Sequence, residues 1–238
     1  MAILLIDMPV TKVVQETPDT RTFRLEPPPS FDPDWKPGQF ITVNLPEDPK
    51  TRRAYSLSSS PLDGPFLEIT IKHMGGFGAH VYEVAKEGTV LQVIAPRGKF
   101  VLPANPEIPV MLISGGSGVT PYRSMMRYMI QRKLPTRVMN LYSVRIPADI
   151  IFRDEFEALC RVNPNFQFLV TCTRVPSGDT SWTGLRGRVS PEMVQRFSPD
   201  ADRTVYYSCG SHAFIAGTTK MLYDMGLPKE RVIFEDWG

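Results

Sequence analysis

The first hundred residues alternate short apolar segments with turn clusters such as PPPSFDPD, LPEDP and PLDGP. Short strands separated at regular spacing by such turns predict a small antiparallel β-barrel. One helix is expected within it, near Ala79–Ala85, after the glycine-rich turn at 75–78. The predicted strands are Val10–Gln15, Thr20–Leu25, Phe40–Leu45, Arg53–Leu57, Phe66–Ile71 and Val90–Ile94, with a further strand at Ala2–Ile6.

The pattern changes after residues 103–108, where apolar strand-like runs begin to alternate with helical periodicity. This alternation predicts an α/β domain with a parallel sheet covered by helices on both faces. Its strands are expected in the run from Pro109 to the following glycines and at Arg137–Ser143, Phe166–Cys172, Thr204–Ser208 and Val232–Glu235. Its helices are expected at Tyr122–Gln131, Phe152–Cys160, Pro191–Arg196 and His212–Met225. We therefore expect two domains, 1–104 and 105–238, with ligands beyond the carboxyl ends of the parallel strands.

Composition narrows the classes of function. The chain has 27 Lys and Arg against 25 Asp and Glu, and this near balance gives no reason to expect nucleic acid as a partner. Three widely spaced cysteines argue against a disulfide framework, a zinc site and a four-cysteine iron–sulfur cluster, so a cluster would belong to another polypeptide. The histidines are too scattered for a metal site. Without a signal pattern or a span of roughly 20 apolar residues, a cytoplasmic protein with no membrane partner is expected.

The segment Arg53–Ser56 places a cation, an aromatic ring and a hydroxyl within four residues of a predicted strand. A guanidinium pairs with phosphate, a phenol ring stacks on a planar ring system, and a hydroxyl reaches a ring nitrogen. A flavin nucleotide needs these three contacts. Alternation along a strand puts Arg53 and Tyr55 on one side and Ser56 on the other. The alternative is a half-buried strand with one arginine that extends to solvent.

The segment Ser114–Pro121 closes a strand and opens a helix. Its glycines let the backbone approach a phosphate, and amides at a helix start favour an anion. Pro121 suits the first helical turn, and Thr120 or Ser117 can cap it. The segment lacks the G-x-G-x-x-G fingerprint, and a plain strand-to-helix turn is the alternative.

The segment Tyr207–Gly210 ends a later parallel strand, where a side chain faces the crevice. Cys209 therefore becomes a candidate site residue, although a free cysteine is usually a small buried apolar group. No histidine pairs with Cys209 in the sequence, which argues against a thiol-nucleophile hydrolase.

Taken in order, these motifs resemble the ferredoxin–NADP reductase superfamily over nearly the whole chain. The resemblance rests on R-x-Y-S at 53–56, G-G-x-G-x-T-P at 115–121, C-G at 209–210 and an acid-x-aromatic pattern in the last residues. Further matching pieces are Lys36–Ile41, Gly88–Val90, Ala95–Phe100 and Tyr142–Arg145 with Asp149 and Phe152.

The resemblance implies a set of flavin contacts. Arg53 would pair with a flavin phosphate, Tyr55 beside Ala54 would pack on the flavin, and Ser56 would form a hydrogen bond near flavin N5. On the next strand, Thr70, Ile71 and Lys72 would run beside the nucleotide. The following turn would present its amides to the pyrophosphate; its residues are Gly76, Phe77, Gly78 and Ala79. The family usually has Ser or Thr where Ala79 stands, so one hydroxyl contact is missing and the choice between FAD and FMN stays open.

The resemblance also implies a nicotinamide site. Gly115, Gly116, Ser117 and Thr120 would approach the nicotinamide cofactor, and Cys209 with Gly210 would border the carbon that yields hydride. Ser56, Cys209 and Glu235 are the expected catalytic residues, with Glu235 assisting proton movement. Trp237 would cover the flavin face, or else anchor the terminus. Arg145 and Arg174 would bind the 2′-phosphate of NADPH, and this favours NADPH over NADH. The alternative is that both arginines are solvated charges on loops.

The implied activity is an NAD(P)H-dependent flavoprotein oxidoreductase that holds FAD. It would pass single electrons to a separate redox partner protein, namely a ferredoxin, a flavodoxin or an oxygenase component. A free-flavin reductase and a non-catalytic electron-transfer subunit of a larger complex are the alternatives. The identity of the acceptor, NADH against NADPH, and the oligomeric state are left open by the sequence.

Overall fold

The computed structural model describes residues 5–31 and 34–236, apart from the side chain of residue 49. Its first half is a six-stranded antiparallel sheet with the order β4-β3-β6-β1-β2-β5. An isolated bridge between Leu57 and Ile69 brings the end of β4 against β5, so the two outer strands meet and a barrel forms. The elements are β1 Ile6–Thr17, β2 Thr20–Leu25, β3 Phe40–Leu45, β4 Asp48–Ser56, β5 Leu67–Lys72, α1 Gly76–Val84 and β6 Val90–Arg97.

Strand alternation divides the residues of β5 between two environments. Leu67, Ile69 and Ile71 pack in the apolar core of the barrel. Glu68 and Thr70 point to the opposite face and are also buried, at 3% and 5% exposure. A polar outer face that is buried must be covered by another part of the chain, and here the second half covers it.

The second half is a six-stranded sheet with the order β10-β9-β8-β7-β11-β12, and all of its pairings are parallel. The chain runs outward from β7 to β10 and then returns to place β11 on the other side of β7, so the switch point lies between β7 and β11. The strands are β7 Val110–Gly115, β8 Val138–Val144, β9 Phe166–Cys172, β10 Leu185–Arg186, β11 Val205–Cys209 and β12 Val232–Glu235. The helices are α2 Thr120–Gln131, α3 Arg153–Val162, α4 Pro191–Phe197 and α5 His212–Asp224, with 3₁₀ turns at Gly116–Val119, Pro147–Asp149 and Lys229–Arg231.

The predicted fold class, an antiparallel barrel followed by a parallel α/β sheet, is confirmed. The differences lie at element ends and in the two-residue strand β10, which the sequence did not predict. β1 begins at Ile6 and contains the predicted strand Val10–Gln15, whereas most of the predicted strand Ala2–Ile6 lies outside the described residues. Helix α1 begins at Gly76, three residues earlier than predicted, because glycines that look like a turn in the sequence form its first turn. Phe152 has a left-handed φ of 59° and precedes α3 rather than starting it.

The barrel and the parallel sheet share packed side chains. Phe100, just beyond β6, lies in the core of the second half, with ring centroids 5.3 Å from Tyr207 and 6.1 Å from Tyr122. Gly38, at φ 96°, permits this approach, because a β-carbon there would overlap the Phe100 carbonyl and lie 2.5 Å from Met125 Cε. None of the helices in the described part of the chain is long and apolar enough to span a membrane.

Candidate functional site

A cavity of about 240 Å³ lies where the barrel faces the switch point of the parallel sheet. The barrel contributes the end of β4, the outer part of β5 and the start of α1, and the sheet contributes the segment after β7 and the end of β11. The lining residues are Ala54, Tyr55, Ser56, Thr70, Ile71, Lys72, Met74, Gly75, Gly78, Ser117, Gly118, Thr120, Cys209 and Gly210. The barrel motif and the two motifs of the parallel sheet therefore form opposite walls of one cleft.

The barrel wall carries an aromatic ring that is held in place by its neighbours. Burial raises the pKa of Tyr55 to about 12, although Arg53 opposes that shift, so the phenol stays neutral at physiological pH. A β-carbon at Gly78 would lie 3.2 Å from Tyr55 Oη and 3.7 Å from Ile71 Cγ2. Glycine at this position therefore leaves room for the Tyr55 hydroxyl group.

The start of α1 offers backbone amides to an anion. The residue before the helix, Gly75, has no side chain to cap it, and the first-turn amides have no carbonyl four residues back inside the helix. Gly75 and Gly76 have φ of 91° and 59°, and a β-carbon at either would meet nothing within 4 Å. Open space beside amides at a helix start suits a pyrophosphate.

On the opposite wall, Gly118 lies against the backbone of β11. A β-carbon there would lie 2.5 Å from the nitrogen of Gly210 and would overlap the Cys209 carbonyl. The 3₁₀ turn at Gly116–Val119 leads directly into α2, and Thr120 Oγ1 donates a hydrogen bond of 2.7 Å to the Ser117 carbonyl. Close backbone contact thus fixes Thr120 and Cys209 relative to each other at the floor of the cleft.

A carboxyl group lies behind the cavity. Ser56 Oγ donates to Glu235 Oε2 at 3.5 Å, across the junction between β4 and β12. Burial raises the pKa of Glu235 to about 8, and the Ser56 hydroxyl opposes this shift only in part. Burial first, and then the Glu235 carboxyl, raise the pKa of the Cys209 thiol well above its usual range. The site therefore holds a neutral thiol and a carboxyl that can take or release a proton near neutral pH.

The raised pKa of Glu235 predicts a pH dependence of stability. Below about pH 4.5 this side chain is protonated in both the folded and the unfolded chain. Between there and about pH 8 only the folded state keeps the proton, so the free energy of unfolding falls as pH rises, by at most about 1.4 kcal/mol per pH unit. Partial solvent contact reduces this slope. The stability of Glu235→Gln relative to the native protein should therefore increase from pH 5 to pH 8 in urea unfolding.

The control for this measurement is Glu157→Gln, which removes a carboxylate from an exposed ion pair with Arg153 on α3. Its stability difference from the native protein should vary little over the same pH range. A difference for Glu235→Gln that stays constant from pH 5 to pH 9 would show that the proton is not retained.

The structure brings about half of the predicted site residues into the cleft. The side chain of Arg53 is exposed and donates to the carbonyl of Arg52 at 2.9 Å instead of lining the cavity. The side chain of Phe77 packs in the barrel core, so only its backbone can face a ligand. Further predicted residues that do not line the cavity are Gly76, Ala79, Gly115, Gly116, Arg145, Arg174 and Glu235. Trp237 lies outside the described residues.

Arg145 and Arg174 lie side by side at the carboxyl ends of β8 and β9, where the Arg174 amide donates to the Arg145 carbonyl at 2.8 Å. Both side chains are exposed. Met74, Gly75 and Gly118 line the cavity and are not among the predicted residues. Gly75 and Gly118 stand inside glycine-rich segments that the sequence marks, whereas nothing in the sequence marks Met74.

Two family models match the chain along nearly its whole length. The oxidoreductase FAD-binding domain matches residues 7–102, and the oxidoreductase NAD-binding domain matches residues 112–220. Ferredoxin–NADP reductase B of Sorangium cellulosum is 30% identical over 211 residues, which cover 83% of each chain. The chain belongs to the ferredoxin–NADP reductase superfamily. Its two halves are thus an FAD-binding domain and an NAD-binding domain.

Other relatives extend beyond the matched region. The glycine betaine monooxygenase reductase subunit of Chromohalobacter salexigens is 32% identical over 232 residues, 95% of this chain but 62% of that protein. The chain thus spans less than two thirds of the length of this relative.

Among solved structures, the Neisseria gonorrhoeae ferredoxin NADP⁺ reductase with bound FAD and NADP superposes with a TM-score of 0.83 at 23% identity, covering all of both chains. The FAD/NAD-binding domain of the Vibrio cholerae nitric oxide dioxygenase gives 0.84 at 24% identity over 98% of each. At sequence identities of 23% and 24%, the similarity to these two structures confirms the fold alone.

Proposed function

We propose that this chain is an NAD(P)H-dependent flavoprotein reductase that passes electrons to a separate acceptor. One observation carries the proposal: a single cleft joins Tyr55 and Ser56 of the FAD-binding domain to Thr120 and Cys209 of the NAD-binding domain. A cleft with a ring-stacking wall and a wall built from glycine and small side chains has the shape needed to hold two flat rings face to face.

The residues of the cleft fit bound FAD. Tyr55 would cover one face of the flavin, and the first turn of α1 would bind the pyrophosphate. The Ser56 hydroxyl would turn its single proton away from Glu235 to donate a hydrogen bond to a ring nitrogen. When bound, FAD accepts a hydride from a nicotinamide and can release electrons singly. The chain itself orients the two rings, excludes water between them, and holds a proton at Glu235 close to Ser56.

Thr70, Ile71 and Lys72 would run beside the flavin nucleotide, and Ser117 with Gly210 would border the nicotinamide. Arg53 would have to leave its contact with the Arg52 carbonyl to reach a phosphate. The spans of the two family models support a division of the chain at 104/105. We also propose a cytoplasmic location, because the three cysteines are free thiols.

For the acceptor we propose a redox protein of the ferredoxin, flavodoxin or oxygenase-component class. Relatives named as the reductase subunit of a monooxygenase and as a ferredoxin–NADP reductase support this choice. The three cysteines provide no four-cysteine iron–sulfur cluster within these 238 residues. The four cysteine ligands of such a cluster would therefore come from outside these 238 residues.

An absorbance experiment tests the proposal. The purified protein should be yellow, its flavin bands should bleach on anaerobic addition of NADPH or NADH, and reoxidation should follow addition of a ferredoxin or flavodoxin. Flavin that dissociates during gel filtration would favour the free-flavin reductase. Bound flavin that neither nicotinamide bleaches would contradict the reductase function and favour a non-catalytic subunit.

The arginine pair at the ends of β8 and β9 predicts a preference for NADPH. Arg174→Ala should raise the Kd for NADPH about tenfold, because a charge-assisted hydrogen bond to a phosphate contributes about 1.5–3 kcal/mol. The Kd for NADH, which lacks the 2′-phosphate, should hardly change. Stopped-flow flavin reduction over a range of each nicotinamide measures both constants, with Arg161→Ala on the exposed face of α3 as the control. Equal changes for NADPH and NADH would place the phosphate elsewhere.

A further inference from the structure

We infer that Glu68 and Arg123 are positioning residues that hold the nicotinamide wall of the cleft against the flavin wall. This inference rests on the proposed function. It concerns a set of buried and half-buried charges at the junction of the two domains that lies outside the cofactor cavity. We name Glu68, Arg123, Arg24, Glu155, Arg127 and Asp63 the junction network.

The centre of the junction network is a pair of buried, opposite charges from the two domains. Arg123 Nη1 of α2 lies 2.7 Å from Glu68 Oε2 of β5, and the two residues are 7% and 3% exposed. Each has a second partner: Glu68 Oε1 accepts from Arg24 at 2.8 Å, and Arg123 Nε donates to Glu155 Oε2 at 2.8 Å. Both carboxylate oxygens of Glu68 and two sides of the Arg123 guanidinium therefore have hydrogen-bond partners.

A second contact follows one turn later on the same helix. Arg127 Nη1 lies 2.7 Å from Asp63 Oδ2 of the barrel loop, and its Nε donates to Glu155. Gln131, four residues further on, donates to Asp63 Oδ1 at 2.6 Å and accepts from Ser60 Oγ at 2.5 Å. One side of α2 is therefore bonded to the barrel along nearly its full length.

Charges buried in this way are weak sources of net stability, because desolvation offsets most of their attraction. Their bonds are directional, however, since a guanidinium and a carboxylate bind well in few orientations. The ring of Phe152 lies 4.5 Å from the Arg123 guanidinium and restricts it further. The junction network is therefore better suited to fixing the relative orientation of two domains than to stabilising either one.

The network connects to the cleft over very short stretches of chain. Glu68 is two residues from Thr70 on the same strand, and Arg123 is three residues from Thr120, in the first turn of α2. Thr70 and Thr120 line opposite walls of the cavity. A shift of the Glu68–Arg123 pair therefore moves one cofactor wall relative to the other. A misplacement of about 1 Å can reduce the rate of a positioned reaction about 100-fold.

The first test compares flavin reduction in Glu68→Gln and Arg123→Lys with the native holoenzyme. The amide of glutamine cannot pair with both arginines, and we expect the reduction rate at saturating NADPH to fall at least tenfold at 25 °C. The Kd for NADPH should change less than threefold, because neither residue lines the cavity. Arg123→Lys keeps the charge but loses the planar fork, and should give an intermediate rate.

The matched control is Val194→Ala, which truncates a side chain that is 1% exposed in the core of the NAD-binding domain, on α4. It should lower the melting temperature without changing the reduction rate at 25 °C. If Glu68→Gln and Arg123→Lys also lower only the melting temperature, their role is structural and the inference is wrong. If Glu68→Gln does not fold, Arg123→Lys alone decides between these results.

A second readout is independent of activity. Nitroxide labels on Glu87→Cys in the barrel and Glu192→Cys on α4, in a Cys160→Ser background, report the distance between the domains in pulsed electron paramagnetic resonance. We expect a narrow distribution in the native protein and a broader or shifted one in Glu68→Gln. An unchanged distribution would contradict the inference. If NADPH fails to reduce the native flavin, the proposed function fails, whereas the distance measurement still judges the junction network.

Discussion

Gly118→Ala is expected to slow flavin reduction by NADPH at least 100-fold. The added methyl group would lie 2.5 Å from the Gly210 nitrogen and would overlap the Cys209 carbonyl, which are backbone atoms that cannot rotate away. The 3₁₀ turn at Gly116–Val119 must then move away from β11 by about 1 Å, and Thr120 moves with it. Stopped-flow reduction at saturating NADPH measures the loss, and a lower melting temperature should accompany it.

Gly217→Ala is the matched control, because it adds the same methyl group inside α5 where nothing lies within 4 Å. It should stabilise the protein by about 1 kcal/mol, the helix-propensity difference between the two residues, and leave the reduction rate unchanged. If Gly118→Ala reduces its flavin at the native rate, the close contact between the two cofactor segments has no part in positioning the nicotinamide.

The sequence was sufficient to predict the strands and helices that carry the candidate site. Strand alternation and turn clusters located the barrel strands, and the change to alternating strands and helices located the parallel sheet. Thr120 and Cys209 could be predicted to lie in the cleft because one opens a helix and the other ends a strand of the parallel sheet, and such positions face the crevice in this architecture. Ser56 could be predicted from its place in the Arg53–Ser56 motif.

Other features depend on contacts between distant residues, which a single sequence does not reveal. Glu68 and Arg123 are separated by 55 positions and read as ordinary surface charges on a strand and a helix. Alternation put Arg53 on the same side as Tyr55, yet its guanidinium bonds to the neighbouring Arg52 carbonyl. Because the backbone of Phe152 is left-handed, α3 begins one residue later than predicted. A phenylalanine side chain does not indicate such a backbone conformation.

Ser56→Ala is expected to separate hydride transfer from binding. Ser56 Oγ lines the barrel side of the cavity and also reaches the half-buried Glu235 carboxyl, at 3.5 Å. Its removal deletes the hydroxyl that we propose as a donor to the flavin ring, and it takes from Glu235 the hydrogen-bond partner that the structure shows. We expect the reduction rate at saturating NADPH to fall about 100-fold, while the Kd for NADPH changes less than threefold.

The control for this prediction is Ser59→Ala in the same segment. Ser59 is fully buried and accepts from the Glu68 amide at 3.0 Å, but it does not line the cavity. Its loss leaves a buried amide unsatisfied and should lower stability by about 1–3 kcal/mol. The reduction rate should decline far less than in Ser56→Ala. An equal loss of rate and of NADPH affinity in Ser56→Ala would mean that the hydroxyl binds the nicotinamide in its ground state. In that case orientation of the reacting rings must come from the backbone contact at Gly118 rather than from this side chain.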